Sequence, residues 1–201
     1  MVNLPNIKII GLTGMSGAGK STVCGVFARR GFKIIDCDGV SRETAQDCVF
    51  LNELQSRFPE KLLNANGSLN RVATANLIFN DKAKLRLYNQ IIFPYIVYKI
   101  MRETDVAGYD VILDAPTLFD SGLDMICTAI VGVTASLKQC AERITLRDGI
   151  TYERALERLS AQRSEEFFKQ NCDYIIENNG ELVFLTKNVE KIVNELKGTT
   201  W

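Results

Sequence analysis

The sequence predicts an α/β fold with a parallel sheet, and three observations carry that prediction. Short apolar runs of strand length recur through the chain. Helical patterns fill the gaps between them. The first run leads into a glycine-rich turn that opens a helix. The first strand covers residues 7–13. A helix follows over 19–30, with Val23, Val26 and Phe27 at helical spacing and Gly31 as its C-terminal stop. Residues 33–36 (KIID) form the second strand, 110–114 (DVILD) the third, 128–133 (TAIVGV) the fourth and 172–177 (CDYIIE) the fifth. Helical patterns run over 43–57, 71–79, 82–104, 136–147, 151–172 and 186–197. NANGSLN at 64–70 and RDGIT at 147–151 read as turns or hinges. No repeat, low-complexity tract or linker divides the chain, so a single domain is expected.

Composition narrows the chemistry. The 201 residues contain no histidine. That removes a Ser–His–Asp triad, a Cys–His pair, histidine metal ligands and an imidazole base. Proton transfer falls to Asp, Glu, Lys, Tyr, Cys or water. Lysine plus arginine and aspartate plus glutamate number 24 each, a net charge of zero, which argues against a dedicated nucleic-acid binder. The six cysteines (24, 37, 48, 127, 140 and 172) make no CxxC pair, so a zinc site is not expected and a reduced, cytoplasmic protein is. The N-terminal MVNLPNIKIIGLTG has no small-residue cleavage site and does not read as a signal peptide. No run reaches the ~18–20 apolar residues of a membrane span.

The run from Gly14 to Ser21, GMSGAGKS, matches GxxxxGK[ST] in the strand–turn–helix context this motif needs. Glycines let the backbone curl so that N–H groups face one phosphate, and the helix N-terminus adds partial positive charge. Gly14, Ser16, Gly17, Ala18, Gly19, Lys20, Ser21 and Thr22 are therefore the candidate ATP cradle. Lys20 would reach the β/γ-phosphates, and the Ser21 hydroxyl would ligate Mg²⁺. A ligand-free glycine turn is the plain alternative. A dinucleotide site lacks its GxGxxG spacing here. Asp114 ends an apolar strand in the manner of a second Mg²⁺ ligand; a strand-end Asp capping the turn before Pro116 is the alternative.

Asp36 and Asp38 flank the end of the second strand. On an extended segment residues two apart share a face, so one could stay structural while the other takes a proton from an acceptor hydroxyl. The plain alternative is a pair of turn residues capping the next helix. Arg42 and Arg71 could clamp an anionic substrate or lie solvated on the surface. Residues 138–163 hold six basic and four acidic residues. Arg143 and Arg147 share one helix face, and Leu137, Cys140 and Ile144 make an apolar stripe beside it. Two helices joined at Asp148-Gly149, with Thr151 as a cap, read as a lid or as an ordinary hairpin.

Taken together, the stretches GLTGMSGAGKST (11–22), IDCDGVSR (35–42), GSLNR (67–71), DAPTLFDSGL (114–123), RITLRDGIT (143–151) and AQ…CDYIIENNG (161–180) resemble the dephospho-coenzyme A kinases. The resemblance implies a three-layer P-loop kinase fold with a five-stranded parallel sheet. Its core would cover about 7–38, 108–136 and 172–201, with a helical CoA-side subdomain near 40–105 and a helical lid near 137–171. It implies ATP-dependent phosphorylation of the ribose 3′-hydroxyl of dephospho-CoA, giving CoA and ADP in the last step of coenzyme A biosynthesis. Asp38 would be the base, with Lys20 and the lid residue Arg147 at the phosphates. Arg143, Asn178 and Gly180 would lie on the ATP side. Asp36, Arg42, Arg71, Phe93, Pro94 and Leu118 would lie on the acceptor side. Phe93-Pro94 stands where the family commonly has His-Pro, and Pro116-Thr117-Leu118-Phe119-Asp120 where it commonly has Pro-Leu-Leu-x-Glu. The partners implied are ATP and dephospho-CoA, with no nucleic acid and no membrane. A kinase of another small metabolite or nucleoside monophosphate, and a nucleotide-binding module without transfer, are the alternatives.

Overall fold

Apolar runs at the five expected places become strands: β1 (Ile9–Gly14), β2 (Lys33–Asp36), β3 (Val111–Asp114), β4 (Ala129–Thr134) and β5 (Tyr174–Glu177). This is a computed structural model, and it describes residues 7–107 and 109–198, with side chains described outside 105–107. The N-terminal six residues of the leader reading, residue 108 and residues 199–201 lie outside that set. The strands form one sheet in the order β2-β3-β1-β4-β5. β1 runs parallel to both β3 and β4, and β4 parallel to β5. Val111, Ile112 and Leu113 are fully buried, as in a parallel sheet covered on both faces. Every strand of such a sheet delivers its C-terminus to the same edge, where ligands bind.

The chain divides into two compact units, one made of residues up to 35 with 107 onward, the other of 36–106. In the first unit the sheet is packed by α1 (Lys20–Arg29), α7 (Leu137–Asp148), α8 (Tyr152–Ser160), α9 (Glu165–Asn171) and α10 (Leu182–Gly198), with a short α6 (Leu118–Ser121) after β3. Ile10, Leu12, Phe27, Val131, Val133, Ile144, Ile176 and Val189 lie at its centre. The second unit holds α2 (Cys37–Thr44), α3 (Cys48–Arg57), α4 (Arg71–Asn80) and α5 (Lys82–Ala107). Phe50 is fully buried there, edge-on to Tyr88 and Tyr95.

Four expectations need correction. The helix expected over 43–57 is two helices, and the first begins at Cys37. Cys37, Val40 and Thr44 bury at i, i+3 and i+7, a helical spacing hidden in a polar, glycine-containing stretch. Asp47 then starts α3 by accepting from the amides of Val49 and Phe50, a cap of about 1 kcal/mol. The helix expected over 151–172 also breaks, because Ser164 caps α9 through the Phe167 amide. The last helix begins at Leu182, not 186. Finally, Cys140 and Ile144 are buried but Leu137 is 58% exposed, so the stripe on α7 is shorter than expected. The Gly149 stop (φ 66°) and the Thr151 cap on Arg154 stand as read.

Candidate active site

The loop between β1 and α1 is shaped by glycines that no other residue could replace. Gly14 has φ +147°, and a Cβ there would lie 2.1 Å from the Val133 carbonyl oxygen. Gly19 has φ +99°, and a Cβ there would meet Asn178 Nδ2 at 2.3 Å. Inside the turn, Met15 N–H donates to the Val133 carbonyl and Ala18 N–H to the Met15 carbonyl, each at 3.1 Å. Gly19 occupies the N-cap of α1 without a side chain to cap it, and the first turn carries no acidic residue. That leaves a helix N-terminus suited to an anion. Ser21 and Thr22 are exposed there.

Lys20 reaches across the sheet edge and donates to the Asp114 carboxylate at the end of β3. Cys24, one turn along α1, is buried behind this pair. Burial, and then the Asp114 carboxylate, push its thiol up to about 12. It therefore stays protonated and inert at neutral pH. The exposed Ser21 hydroxyl and the Asp114 carboxylate are hard oxygen donors, the kind Mg²⁺ takes alongside substrate phosphates. The donor chemistry fits that ion.

Arg143 and Asn178 sit on the far side of the loop. Arg143 Nη1 donates to the Gly17 carbonyl at 3.2 Å and the Ala18 carbonyl at 3.5 Å, and its Nη2 to the Asn178 carbonyl at 3.1 Å. Asn178, buried just past β5, donates from Nδ2 to the Ala18 carbonyl at 2.7 Å. Gly180 is exposed two residues on. Arg147, one helical turn beyond Arg143, forks onto both carboxylate oxygens of Asp148 at 2.7 and 2.9 Å, and Arg158 donates to the same carboxylate. Arg147 first, with Arg158 beside it, holds that carboxyl below the usual carboxylate range.

One contact was missed by sequence reasoning. Gln162, in the turn between α8 and α9, accepts from the Ser16 amide through Oε1 at 3.1 Å. The AQ pair at 161–162 is among the stretches that carry the resemblance, but neither spacing nor periodicity gives Gln162 this contact. The next residue, Arg163, pairs with Asp120 at 2.7 Å and lies 4.4 Å from the Phe167 ring centre. Phe119 packs edge-on against that ring. Phe119 and Asp120, the latter standing where the family commonly has Glu, thus hold residues at the start of α9. Leu118 is fully buried, and a Cβ on Gly11 would meet its methyls at 2.7 and 3.2 Å.

The second unit separates the two aspartates. Asp36 ends β2, at the N-cap of α2, and pairs through Oδ2 with Arg42 Nη2 at 3.1 Å. Asp38 lies in the first turn of α2, not on an extended segment, so the shared-face expectation for the pair does not hold. Its carboxylate is exposed, and among the described residues it makes no hydrogen bond or ion pair. Arg71 opens α4 next to its Asn70 cap. It lines a cleft of about 650 Å³ with Gln46, Cys48, Asn52, Leu63 and Ser68. Phe93 is half-buried and Pro94 exposed within α5.

Against this geometry, the family model for dephospho-CoA kinase matches residues 8–183. The chain belongs to the dephospho-CoA kinase family. Among curated relatives, the dephospho-CoA kinase of Fusobacterium nucleatum is 37% identical over 188 residues, covering 92% of this chain and 97% of its own. That of Staphylococcus aureus is 33% identical, covering 94% and 93%. A solved protein from Thermus thermophilus is 30% identical with a TM-score of 0.77, covering 96% of this chain and 99% of its own. Two more distant structures share the fold. They are the dephospho-CoA kinase of Campylobacter jejuni (21% identity, TM-score 0.55, 95% and 98% covered) and a shikimate kinase of Acinetobacter baumannii (16%, 0.52, 98% and 98%). Membership of the dephospho-CoA kinase family makes the chain a transferase and a nucleotide-binding P-loop kinase. Among the described residues no helix is long and apolar enough to cross a membrane.

Proposed function

We propose that this chain transfers the γ-phosphoryl group of ATP to the ribose 3′-hydroxyl of dephospho-CoA, releasing ADP and CoA. The observation that carries this reading is the family match over 8–183, with the GxxxxGK[ST] loop unaltered within it. Phosphoryl transfer asks a protein for positioning and charge more than for covalent chemistry. Residues 14–22 hold the triphosphate. Lys20 exchanges the Asp114 carboxylate for phosphate oxygens. Ser21 and Asp114 would hold Mg²⁺, which would supply positive charge for the developing negative charge of phosphoryl transfer. Arg147 adds guanidinium charge to the transferring group, and Gly180, with Arg143 and Asn178, completes the ATP side.

Asp38 takes the proton of the 3′-hydroxyl, since Asp36 is committed to Arg42 and Asp38 is not. Arg42, Arg71, Phe93, Pro94 and Leu118 are the acceptor-binding residues in this reading, with Arg42 and Arg71 meeting its anionic groups. In this reading residues 7–38, 108–136 and 172–201 are the core, 40–105 the acceptor subdomain and 137–171 the lid. The enzyme works in the cytoplasm on two small molecules.

The departures at Phe93 and within 116–120, where Thr117 and Asp120 replace the family's Leu and Glu, make a different acceptor the competing reading. A coupled ADP-release assay over dephospho-CoA, nucleoside monophosphates and sugar acids separates them. ADP release should depend on dephospho-CoA and run fastest with it. Faster turnover on another acceptor would overturn the assignment.

A further inference from the structure

The peptide between Ala18 and Gly19 has its carbonyl held by two donors, Asn178 Nδ2 at 2.7 Å and Arg143 Nη1 at 3.5 Å. In a trans peptide the carbonyl and the following N–H point in opposite directions. Holding the Ala18 oxygen on the α7 and β5 side therefore aims the Gly19 N–H the other way, with the first amides of α1. The preceding peptide is fixed at both ends, its carbonyl by Arg143 at 3.2 Å and its N–H by the Met15 carbonyl at 3.1 Å. Arg143 also spans to the Asn178 carbonyl, and the Asn178 amide continues the β4–β5 ladder by donating to Thr134 at 2.8 Å. The loop is thus hung from the end of the sheet through these two side chains. Among the described residues no carboxylate pairs with Arg143. Its permanent charge lies uncompensated behind the loop that receives anions.

We propose that Arg143 and Asn178 are positioning residues that set the phosphate affinity of the loop through its backbone, without touching the nucleoside. The inference rests on the loop binding ATP and not on the identity of the acceptor. It makes a distinctive demand: the two residues must matter as much for a bare polyphosphate as for a nucleotide.

The test is calorimetric titration of the full chain with ATP, GTP and inorganic tripolyphosphate, for the parent and for Arg143→Met, Arg143→Lys and Asn178→Ala. Tripolyphosphate should bind the parent. Arg143→Met should weaken ATP, GTP and tripolyphosphate by one common factor, about tenfold or more for loss of a charged double donor. Arg143→Lys, which keeps the charge but not the fork, should fall between. The Arg143→Met/Asn178→Ala pair should cost less than the two singles summed, as expected for members of one network. The KM for dephospho-CoA should not move, whereas general loosening of the fold would raise it.

A variant that weakens ATP but leaves tripolyphosphate unchanged would overturn the proposal, because the residue would then act on the nucleoside. So would unchanged affinity for all three, or a parent that ignores tripolyphosphate. Should Arg143→Met not fold, Arg143→Lys and Asn178→Ala carry the same comparison. An incorrect acceptor assignment would leave every one of these titrations as predicted.

Discussion

Asp38→Asn should lower kcat by about 10²–10⁴-fold, the usual contribution of a general base, while leaving the KM for ATP within about a factor of three. Asparagine keeps the size of the side chain and one accepting oxygen, but replaces the other oxygen by an NH2 donor and loses both the negative charge and the capacity to take a proton. Without histidine the chain has no imidazole to stand in. Asp36 is paired with Arg42 at 3.1 Å and does not offer a second free carboxylate. The substitution is mild for the fold, because Asp38 is exposed in the first turn of α2. Losing its favourable place at a helix N-terminus costs about 0.3–1 kcal/mol. Steady-state kinetics beside a thermal melt would separate the two effects. Undiminished kcat in a folded Asp38→Asn protein would remove this residue as the base.

Lys20→Met should be more damaging on the nucleotide side. Removing one preorganised donor to developing charge costs about 10²–10³-fold in kcat, and here the KM for ATP should rise as well. The structure adds a second consequence. Lys20 and Asp114 are 16% and 24% exposed at their side chains, so methionine leaves the Asp114 carboxylate half-buried and unpaired beside the Cys24 thiol. Stranding a partner in this way costs about 1–3 kcal/mol, or a fall of several degrees in Tm for a chain of this length. Adding Asp114→Asn should recover most of the lost Tm and none of the lost activity. Normal ATP affinity in Lys20→Met would contradict the assignment of the loop.

The sheet was legible because its signals are local. Apolar runs such as VILD and AIVGVT are too short for helices and rich in β-branched residues, which marks them as buried strands, and all five appear within about two residues of their expected bounds. The loop from Gly14 to Ser21 was legible because each residue type in it has a separate physical job. What escaped was long-range or hidden by polarity. Cys37–Thr44 is helical, but its buried positions are a cysteine, a valine and a threonine among charges. The Gln162 contact with Ser16 spans 146 residues, which no periodicity can report. The resemblance marks Arg143 and Asn178, but their bonds to loop carbonyls join residues 126 and 160 apart in the chain, beyond any local pattern. The resemblance already names Asp38 over Asp36 as the base, and the Asp36–Arg42 contact adds a physical reason that the sequence alone does not give.

The measurement that tests the account most directly is ³¹P NMR of the product made from ATP and dephospho-CoA. The account predicts a new phosphomonoester resonance coupled to the ribose H3′ proton, formed in step with ADP and absent with Asp38→Asn on the same timescale. A phosphoryl group on another oxygen of the acceptor, or ADP accompanied only by inorganic phosphate, would contradict it.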